Sequence, residues 1–412
     1  MGNSEYEAAA ARYAAVGVDV GQALATLASV PLSVHCWQGD DVTGFEQRGA
    51  ALIDSGLAVT GSHPGRARNA VELRQDLDKA YSLIPGRHRL NLHAMYGETC
   101  GADRNGIEPA HFRGWVAWAT ERQLGLDFNA TLFAHAAAAD GFTHSSPDET
   151  TRRFWVEHVR RCRDNAAYMG RELGTPCIHN LWVPDGEKDM PLDRWKRRAQ
   201  LKRSLDEVYE QAYPAREMKD ALESKLWGIG SEAFVVGSHE FYLGYALAHG
   251  KMVCLDMGHF HPTESVADKV SAILLFSDEL LLHLSRGVRW DSDHVVVLSD
   301  ELVELMREVV RAGALQRVHL ALDFFDAGIN RVGAWVIGAR AVLKALLVAL
   351  LEPADRLQEL DRFGRLALYE EMKTMAFGAV WDQCCVAAGV PVDRDWPAAV
   401  RQYERDVLSR RS

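Results

Sequence analysis

The sequence lacks the cysteine patterns that build disulfide frameworks or thiolate metal sites. Its cysteines number seven, an odd count, and no two of them form a Cys-x-x-Cys pair. In a chain of 412 residues such cysteines are expected to be buried or free thiols in a reducing compartment. The N-terminal stretch also lacks a basic segment followed by an unbroken apolar run, so we expect no secretory signal. Together these absences predict a cytoplasmic protein.

An excess of positive charge is missing as well. There are 46 Lys and Arg against 57 Asp and Glu, which gives a formal net charge of -11. Nucleic acids and anionic membranes bind best to surfaces rich in Lys and Arg, so neither is expected as the main partner. The longest apolar stretch, 329–353, is interrupted by Arg331, Arg340 and Lys344, which favours an amphipathic helix over a membrane span. A small neutral molecule and a divalent cation remain as the expected partners.

No linker rich in Pro, Gly or Ser divides the chain, and strand-like runs recur along it. Eight runs rich in β-branched and aromatic residues lie at 30–37, 89–96, 125–133, 175–184, 221–230, 252–260, 280–286 and 317–325. Helix-like stretches separate them and are long enough for crossover connections, which predicts a parallel sheet. Eight strand–helix units are what a (β/α)8 TIM barrel requires. The predicted fold class is therefore α/β, with a single barrel.

The barrel is expected to occupy residues 1–328, beginning with an N-terminal helix. The segment around 38–70 is a long connection after the first strand, and connections of this length are often functional lids. Residues 329–412 are helix-like throughout. We expect them to form a helical C-terminal segment that packs on the barrel or on a neighbouring subunit.

Ionisable side chains interrupt the last four apolar runs. They are Glu223 and Lys225 in the fifth run, Asp256, His259 and His261 in and after the sixth, His283, Asp291 and Asp293 in and after the seventh, and Asp323 and Asp326 in and after the eighth. Burial of such groups is costly unless they are paired or bind a metal. Any one of them is more often a hydrogen-bonded core residue, but in a barrel the carboxyl ends of the strands meet at one rim. As a set they predict a pair of divalent cations at that rim.

The types of side chain in this set limit which metals could bind and which reactions the metals could support. Carboxylate and imidazole without thiolate suit Mn, Mg or Co better than structural zinc. Two metal ions in one cluster suggest the polarisation of adjacent substrate oxygens. A metal-dependent enzyme fits this pattern, with a metal hydrolase or lyase among the alternatives, and a non-catalytic barrel protein remains open. A phosphate-processing hydrolase would need more imidazole ligands and more basic groups than this rim offers.

Seven stretches of the sequence closely resemble those of a known protein family. They are HCWQGDDVTGFE, RLNLHAMY, GLDFN, ESKLWGIG, LDMGHFHPTE, RWDSDHVV and LDFFDAGINR. These stretches, and essentially the whole chain, resemble the L-rhamnose isomerase family, whose members are aldose–ketose isomerases with a (β/α)8 barrel. The resemblance implies conversion of L-rhamnose to L-rhamnulose by a metal-assisted hydride shift between carbons 2 and 1. A related rare-sugar isomerase or epimerase remains the nearest alternative.

The resemblance also implies a set of metal ligands. Manganese would be the usual ion, two per subunit, with Co²⁺, Mg²⁺ or Zn²⁺ as substitutes. One ion would be bound by Glu223, Asp256, His283 and Asp323, and the other by His259, Asp291 and Asp293, with Asp256 near both. Asp291 would also be catalytic.

Further roles follow from the same resemblance. Lys225, two residues beyond Glu223 and expected on the same strand face, would hydrogen-bond oxygen 1 of the sugar. His93 would act as acid or base in ring opening. Trp182 would form an apolar wall against the sugar, and Trp37 and Phe133 either do the same or belong to the core. The resemblance implies a homotetramer.

Overall fold

The computed structural model of the protein describes residues 2–46, 59–99, 101–226, 231–289 and 293–411. The strands in these ranges are β1 (Pro31–His35), β2 (Arg87–His93), β3 (Gly125–Asn129), β4 (Cys177–Trp182), β5 (Gly186–Glu187), β6 (Met218–Glu223), β7 (Phe234–Val235), β8 (Met252–Asp256), β9 (Leu280–Leu284) and β10 (Val318–Leu322). The α-helices are α1 (Gly2–Ala15), α2 (Val20–Ser29), α3 (Ala70–Tyr81), α4 (Arg113–Glu121), α5 (Glu149–Leu173), α6 (Arg194–Val208), α7 (His239–His249), α8 (Ala267–Leu274), α9 (Asp300–Arg311), α10 (Arg331–Leu350), α11 (Ala354–Glu359), α12 (Arg362–Met372), α13 (Phe377–Ala387) and α14 (Trp396–Asp406).

Eight of the strands close into a parallel barrel, in the order β1-β10-β9-β8-β6-β4-β3-β2. Each of the eight predicted runs overlaps one of these strands, so the predicted barrel is confirmed. The register sets Asp256 of β8 opposite His283 of β9, and Glu223 of β6 opposite Trp182 of β4. Because all the strands are parallel, these residues lie at the same, carboxyl-terminal rim.

The strands are shorter than the apolar runs that predicted them. The fifth run extends to residue 230, but β6 ends at Glu223, so Lys225 lies beyond the strand and the expectation that it shares a strand face with Glu223 is wrong. The short strands β5 and β7 were not predicted; they pair antiparallel outside the barrel. Two-residue strands carry no readable periodicity, which is why the sequence gives no sign of them.

Helix α5 shows how the crossover connections are specified. Asp148 caps its start by accepting a hydrogen bond from the backbone N–H of Thr151, and Gly174 follows its end with a left-handed φ of 65°. Its buried face includes Trp155 and Val159. The helix therefore covers one side of the barrel between β3 and β4.

Helix α10 contains most of the longest apolar stretch. By length and composition it could cross a membrane, with a mean hydropathy of 1.8, but 83% of that window is buried inside the protein, as in the core helix of a globular fold. Its charges do not form the solvated face that the sequence predicted. Arg331 and Arg340 are buried and form ion pairs with Asp41 and Asp393, respectively. The apolar residues around them therefore belong to the core.

The C-terminal helices pack on the rest of the chain. Helix α10 packs against α9, α2 and α3, α13 packs against α1 and α10, and α14 packs against α10. The domain boundary after residue 328, and packing of the C-terminal segment on another subunit, stay predictions. None of the six cysteines in the described ranges forms a disulfide, as the sequence predicted.

The connection after β1 is anchored at its base. The Arg104 guanidinium bonds both oxygens of Glu46, and Arg331 bonds both oxygens of Asp41. After residue 58, the backbone N–H of His63 donates a hydrogen bond to the carbonyl of Ala327. Residues 47–58 of the predicted lid lie outside the described residues, and a lid function stays a prediction.

Buried neutral histidines give the first testable expectation. Burial lowers the pKa of His88 to about 4 and that of His144 to about 3. Because histidine in an unfolded chain titrates near pH ~6.5, the unfolded state takes up these protons first as pH falls. We expect each residue to remove about 1.4 kcal/mol from the free energy of unfolding per pH unit below that point.

The measurement is urea unfolding at several pH values between about 7 and about 5. A His144→Gln variant should show a flatter pH dependence than the wild type, whatever its absolute stability. Substitution of the exposed His249 by glutamine is the matched control and should leave the slope unchanged. Equal slopes for wild type and His144→Gln would contradict the expectation.

Candidate active site and metal centre

A pocket opens at the carboxyl-terminal rim of the barrel. Its lining residues come from the ends of the strands and the loops after them. They are Trp37, Val42, His93, Asn129, Phe133, Trp182, Glu223, His259, Asp293, Asp323 and Phe325. The predicted site residues are therefore well represented in one cavity, and Asp256 and His283 lie behind it. Asp291 lies outside the described residues.

The first group of donor atoms belongs to Glu223, Asp256, His283 and Asp323. One donor atom from each lies within 4.8 Å of the others. Nδ1 of His283 is 3.0 Å from Oδ2 of Asp323, 3.3 Å from Oε2 of Glu223 and 3.8 Å from Oδ2 of Asp256. Adjacent strands β6, β8 and β9 supply three of these residues, and Asp323 follows β10 directly. The barrel closure brings the four side chains together.

Neighbouring donors hold the carboxylates of this group in fixed orientations. Asn180 Nδ2 donates to Oε2 of Glu223 at 2.5 Å, and the Ser285 hydroxyl donates to Oδ1 of Asp256 at 2.7 Å. The indole N–H of Trp37 donates to Oδ1 of Asp323 at 3.0 Å. Such outer partners typically orient metal ligands.

Four further atoms of the group are buried and make no well-directed hydrogen bond within the described ranges. They are Oε1 of Glu223, Oδ2 of Asp256 and both ring nitrogens of His283. Buried polar atoms without partners are rare in folded proteins and call for an explanation. A divalent cation would accept lone pairs from oxygen and nitrogen atoms arranged in this way. The residues present therefore fit a metal ion.

The electrostatics of the group lead to the same conclusion. Burial raises the pKa of Asp256 to about 7, opposed by His259 and His283 and supported by the neighbouring carboxylates Asp323 and Glu223. Burial would lower the pKa of His283, but Cys254, Glu223 and the nearby Asp323 carboxylate hold it well above its ordinary value. Three carboxylates around one imidazole thus carry an excess of negative charge that a cation would neutralise.

A second group shares one residue with the first. Asp256, His259 and Asp293 have donor atoms within 4.8 Å of one another. His259 belongs to the turn Met257–His259 after β8, and its Nδ1 lies 2.8 Å from the carbonyl of Ser224. A bond from Nδ1–H to this carbonyl leaves Nε2 as the donor atom on the side of Asp293, whose Oδ1 is 3.9 Å away. Asp256 therefore joins two adjacent groups.

Cys254 is a residue near the metal centre that the sequence reading did not single out. Its sulfur lies with Glu223 and His283 in a further cluster of donor atoms. Burial raises the pKa of the Cys254 thiol to about 12. Because the thiolate is the form that binds metal, this residue is a weak ligand as it stands.

His93 lies at the end of β2, between two aromatic rings. Its ring centroid is 4.8 Å from that of Trp37 and 5.7 Å from that of Phe133, both edge-on. Nδ1 is 3.2 Å from Oγ1 of Thr131. Burial lowers the pKa of His93 to about 3, so the imidazole is neutral near neutral pH.

Aromatic residues form another wall of the pocket, and Lys225, which is not among the lining residues, contacts one of them. Nζ of Lys225 lies 5.3 Å from the centre of the Trp182 ring, and Phe133 packs edge-on against Trp182 with centroids 6.0 Å apart. Trp37, Phe133 and Trp182 all line the pocket, while Trp37 also bonds Asp323. Contacts of these residues with a sugar stay predictions.

Two predicted rim residues are not brought into the pocket. His261 is exposed and its Nδ1 contacts Oγ1 of Thr263, and the Asp326 carboxylate accepts the backbone N–H of Gly328. Both follow strands by several residues, where the chain has already turned away from the barrel axis.

Several residues that the structure places at the site were not predicted. Val42 lines the pocket with a left-handed φ of 55°, which is costly for a β-branched residue. Asn180 and Ser285 orient the carboxylates, and Asn129 and Phe325 line the pocket. The polar residues among them could have been found from the sequence, because they interrupt or directly follow an apolar strand. Nothing in the sequence marks Val42.

Comparison with known proteins now bears on this site. The profile of the family described as L-rhamnose isomerase (RhaA) matches residues 2–411. The chain is 57% identical over 418 residues to the L-rhamnose isomerase of Rhodopirellula baltica (strain DSM 10527 / NCIMB 13988 / SH1), covering 100% of this chain and 98% of the relative. It is 54% identical over 412 residues to that of Yersinia pestis (strain Pestoides F), covering 98% of each.

Solved structures show more distant similarity. A D-psicose 3-epimerase with D-tagatose from Clostridium cellulolyticum H10 is 13% identical and covers 77% of this chain and 96% of its own, with a TM-score of 0.46. An L-ribulose 3-epimerase is 15% identical, covers 74% and 97%, and has a TM-score of 0.46. The full-length sequence matches decide the family: the chain belongs to the L-rhamnose isomerases.

Proposed function

We propose that this enzyme interconverts L-rhamnose and L-rhamnulose. The observation that supports this most directly is the pair of donor groups sharing Asp256 beside a pocket walled by Trp182 and Phe133. Full-length relatives at 57% and 54% identity carry the name L-rhamnose isomerase. A deoxy sugar offers both hydroxyls for polar ligands and an apolar face for aromatic rings.

The proposed cofactor is a pair of divalent metal ions, with manganese as the first choice. Glu223, Asp256, His283 and Asp323 would hold one ion. Asp256, His259 and Asp293 would hold the other, together with Asp291. When bound, such ions polarise adjacent sugar oxygens and neutralise the charge that develops on them.

The protein side chains supply positioning and proton control. The ammonium group of Lys225 stands over Trp182 and would donate to oxygen 1 of the open-chain sugar. His93 would serve the ring oxygen during ring opening. Trp37, Phe133 and Trp182 would exclude water from the carbon skeleton, which strengthens every polar interaction at carbons 1 and 2.

We propose a hydride shift rather than an enediol as the route. The hydrogen on carbon 2 of the aldose moves to carbon 1 with its electron pair, carbon 2 becomes the carbonyl, and a proton passes from oxygen 2 to oxygen 1. An enediol would need a base beside the carbons. Among the described residues that line the pocket, His93 is the ionisable one outside the two donor groups, and its pKa of about 3 makes it a poor base.

The test is isomerisation of L-rhamnose in deuterated water. We expect ketose to form with almost no solvent deuterium at carbon 1, because a transferred hydride never exchanges with water. Product analysis by NMR or mass spectrometry gives the result. Incubation of unlabelled ketose with the enzyme in deuterated water, for the same time, controls for later exchange. Substantial deuterium at carbon 1 would rule the hydride shift out, whereas absence of any ketose would contradict the proposed substrate.

Assembly and location stay proposals of the same kind. The family resemblance favours a homotetramer. The six reduced cysteines of the described ranges support a reducing compartment, hence the cytoplasm.

A further inference from the structure

The hydrogen bonds around Thr131 determine which nitrogen of His93 carries the proton. Thr131 lies just beyond β3 and is completely buried. Its Oγ1 lies 3.2 Å from Nδ1 of His93 and accepts the backbone N–H of Met95, also at 3.2 Å. A hydroxyl oxygen can accept, but it has a single hydrogen to donate. The direction of the bond to His93 therefore depends on where that hydrogen goes.

Only one direction satisfies the hydroxyl. Within the described ranges, Nδ1 of His93 is the only acceptor in a hydrogen bond to Oγ1 of Thr131. If Nδ1 carried the proton instead, Oγ1 would accept from both His93 and Met95, and its own hydrogen would be buried without an acceptor. A buried hydroxyl hydrogen without an acceptor costs free energy, because no water is there to replace the lost hydrogen bond. The Thr131 hydroxyl therefore donates to Nδ1.

The backbone around Thr131 keeps the hydroxyl in this place. The N–H of Thr131 donates to Nε2 of His158 at 3.2 Å, and its carbonyl accepts from the Arg104 guanidinium. His158 in turn lies with Nδ1 2.9 Å from the carbonyl of Arg104, to which it donates. Every polar atom of Thr131 thus has a partner, and the backbone that carries its side chain is held by hydrogen bonds at both its N–H and its carbonyl.

We infer that Thr131 is a positioning residue that holds neutral His93 as the Nε2–H tautomer, with this N–H available to the pocket as a hydrogen-bond donor. Nδ1 is occupied by Thr131, and no hydrogen bond of Nε2 is present within the described ranges. The nature of the acceptor rests on the proposed function: it would be the ring oxygen of the sugar.

This tautomer changes what His93 does in ring opening. The bond between carbon 1 and the ring oxygen breaks, and its electron pair stays on the ring oxygen. Oxygen 1 becomes the aldehyde oxygen and loses its proton to a water molecule, from which the ring oxygen takes one up. His93 donates a hydrogen bond that stabilises the charge on the ring oxygen and keeps its own proton throughout. It acts as an electrophilic donor, not as a base.

The first test reads the tautomer directly and needs no substrate. Protein labelled with ¹⁵N-histidine gives imidazole nitrogen shifts, and a His93→Asn variant assigns the signals of His93. We expect a protonated-type Nε2 and an unprotonated-type Nδ1 in the wild type near neutral pH. Thr131→Ser should preserve this pattern, and Thr131→Val should lose it. A wild-type Nδ1–H tautomer would overturn the inference whether or not the enzyme isomerises L-rhamnose.

The second test separates positioning from a structural role. With L-rhamnose deuterated at carbon 2, the wild type is expected to show a primary isotope effect on kcat/KM. Thr131→Val should lower kcat/KM roughly 10- to 100-fold and move the isotope effect towards one, because ring opening then limits the rate. Thr131→Ser should behave like wild type. A Thr131→Val enzyme with normal kcat/KM, or with an undiminished isotope effect, would contradict the role. Wild-type enzyme with the expected tautomer but no ketose formation would contradict the proposed function alone.

Discussion

Substitution of Asp256 by asparagine is expected to remove metal from both donor groups and to lower kcat at least roughly 1000-fold. Asp256 is the residue that the two groups share in the described ranges. Loss of an outer partner of a metal ligand typically costs roughly 10- to 100-fold, so loss of a shared ligand should cost more. The fold should survive, because an asparagine oxygen can still accept from the Gly258 N–H and the Ser285 hydroxyl.

The comparison that isolates this effect uses two further variants. Asp323→Asn changes only the first group and should retain part of the metal. Asp268→Asn makes the same chemical change at an exposed position of α8 and should be indistinguishable from wild type. Elemental analysis of the purified proteins gives metal per chain, and ketose formation gives kcat. An Asp256→Asn enzyme that keeps both metals, or that works within roughly tenfold of wild type, would remove Asp256 from the ligand set.

Removal of divalent ions by a chelator is expected to abolish turnover and to lower the melting temperature of the wild type, and added Mn²⁺ should restore both. Ligands that bind only the native state stabilise it, by about 2.7 kcal/mol at a concentration of 100 Kd. In the Asp256→Asn variant the chelator should change the melting temperature little, because little metal is there to remove.

The metal-free proteins should also differ in pH dependence. Without a cation, burial raises the pKa of Asp256 to about 7, above the ~3.9 of an unfolded aspartate. A raised carboxyl pKa means that native stability is lost as pH rises through the folded value, because the ionised form is penalised only in the folded state. Metal-free Asp256→Asn should therefore gain stability relative to metal-free wild type between about pH 5 and about pH 8.

Thermal unfolding with and without chelator at both pH values measures these effects. The Asp268→Asn protein is again the control and should follow the wild type under every condition. Full activity in chelator, or a wild-type melting temperature that does not respond to it, would contradict a metal-dependent enzyme. An unchanged difference between the two metal-free proteins across the pH range would show that the Asp256 carboxyl is not penalised by burial.

Much of the barrel was predictable because its strands and helices depend on local sequence patterns. Strands buried on both faces need continuous apolar runs, and the helices between them need caps and an apolar stripe, as α5 shows with Asp148 and Gly174. A charged residue inside such a run stands out, and this is how Glu223, Asp256 and His283 could be found before any geometry was known. Their meeting at one rim follows from parallel strands alone.

The ends of elements and the contacts between distant segments were not predictable. The apolar run around Lys225 continues past the last paired residue of β6, since hydrophobicity and strand pairing end at different places. The charges of α10 were expected on a solvated face, but Arg331 finds its partner Asp41 in a loop 290 residues away. Sequence periodicity cannot identify such a partner, because a buried ion pair forms only when folding brings two distant segments together.

The sequence by itself thus determined the family, the barrel and the residue types gathered at the rim, because each of these depends on patterns within single strands or long matching stretches. Only the tertiary structure decided which carboxylate oxygen faces the centre, that Asp256 joins two groups, and that Thr131 sets the tautomer of His93. Those properties depend on distances of about 3 Å between residues far apart in the chain, and the direction of a hydrogen bond follows only when every neighbour of an atom is known.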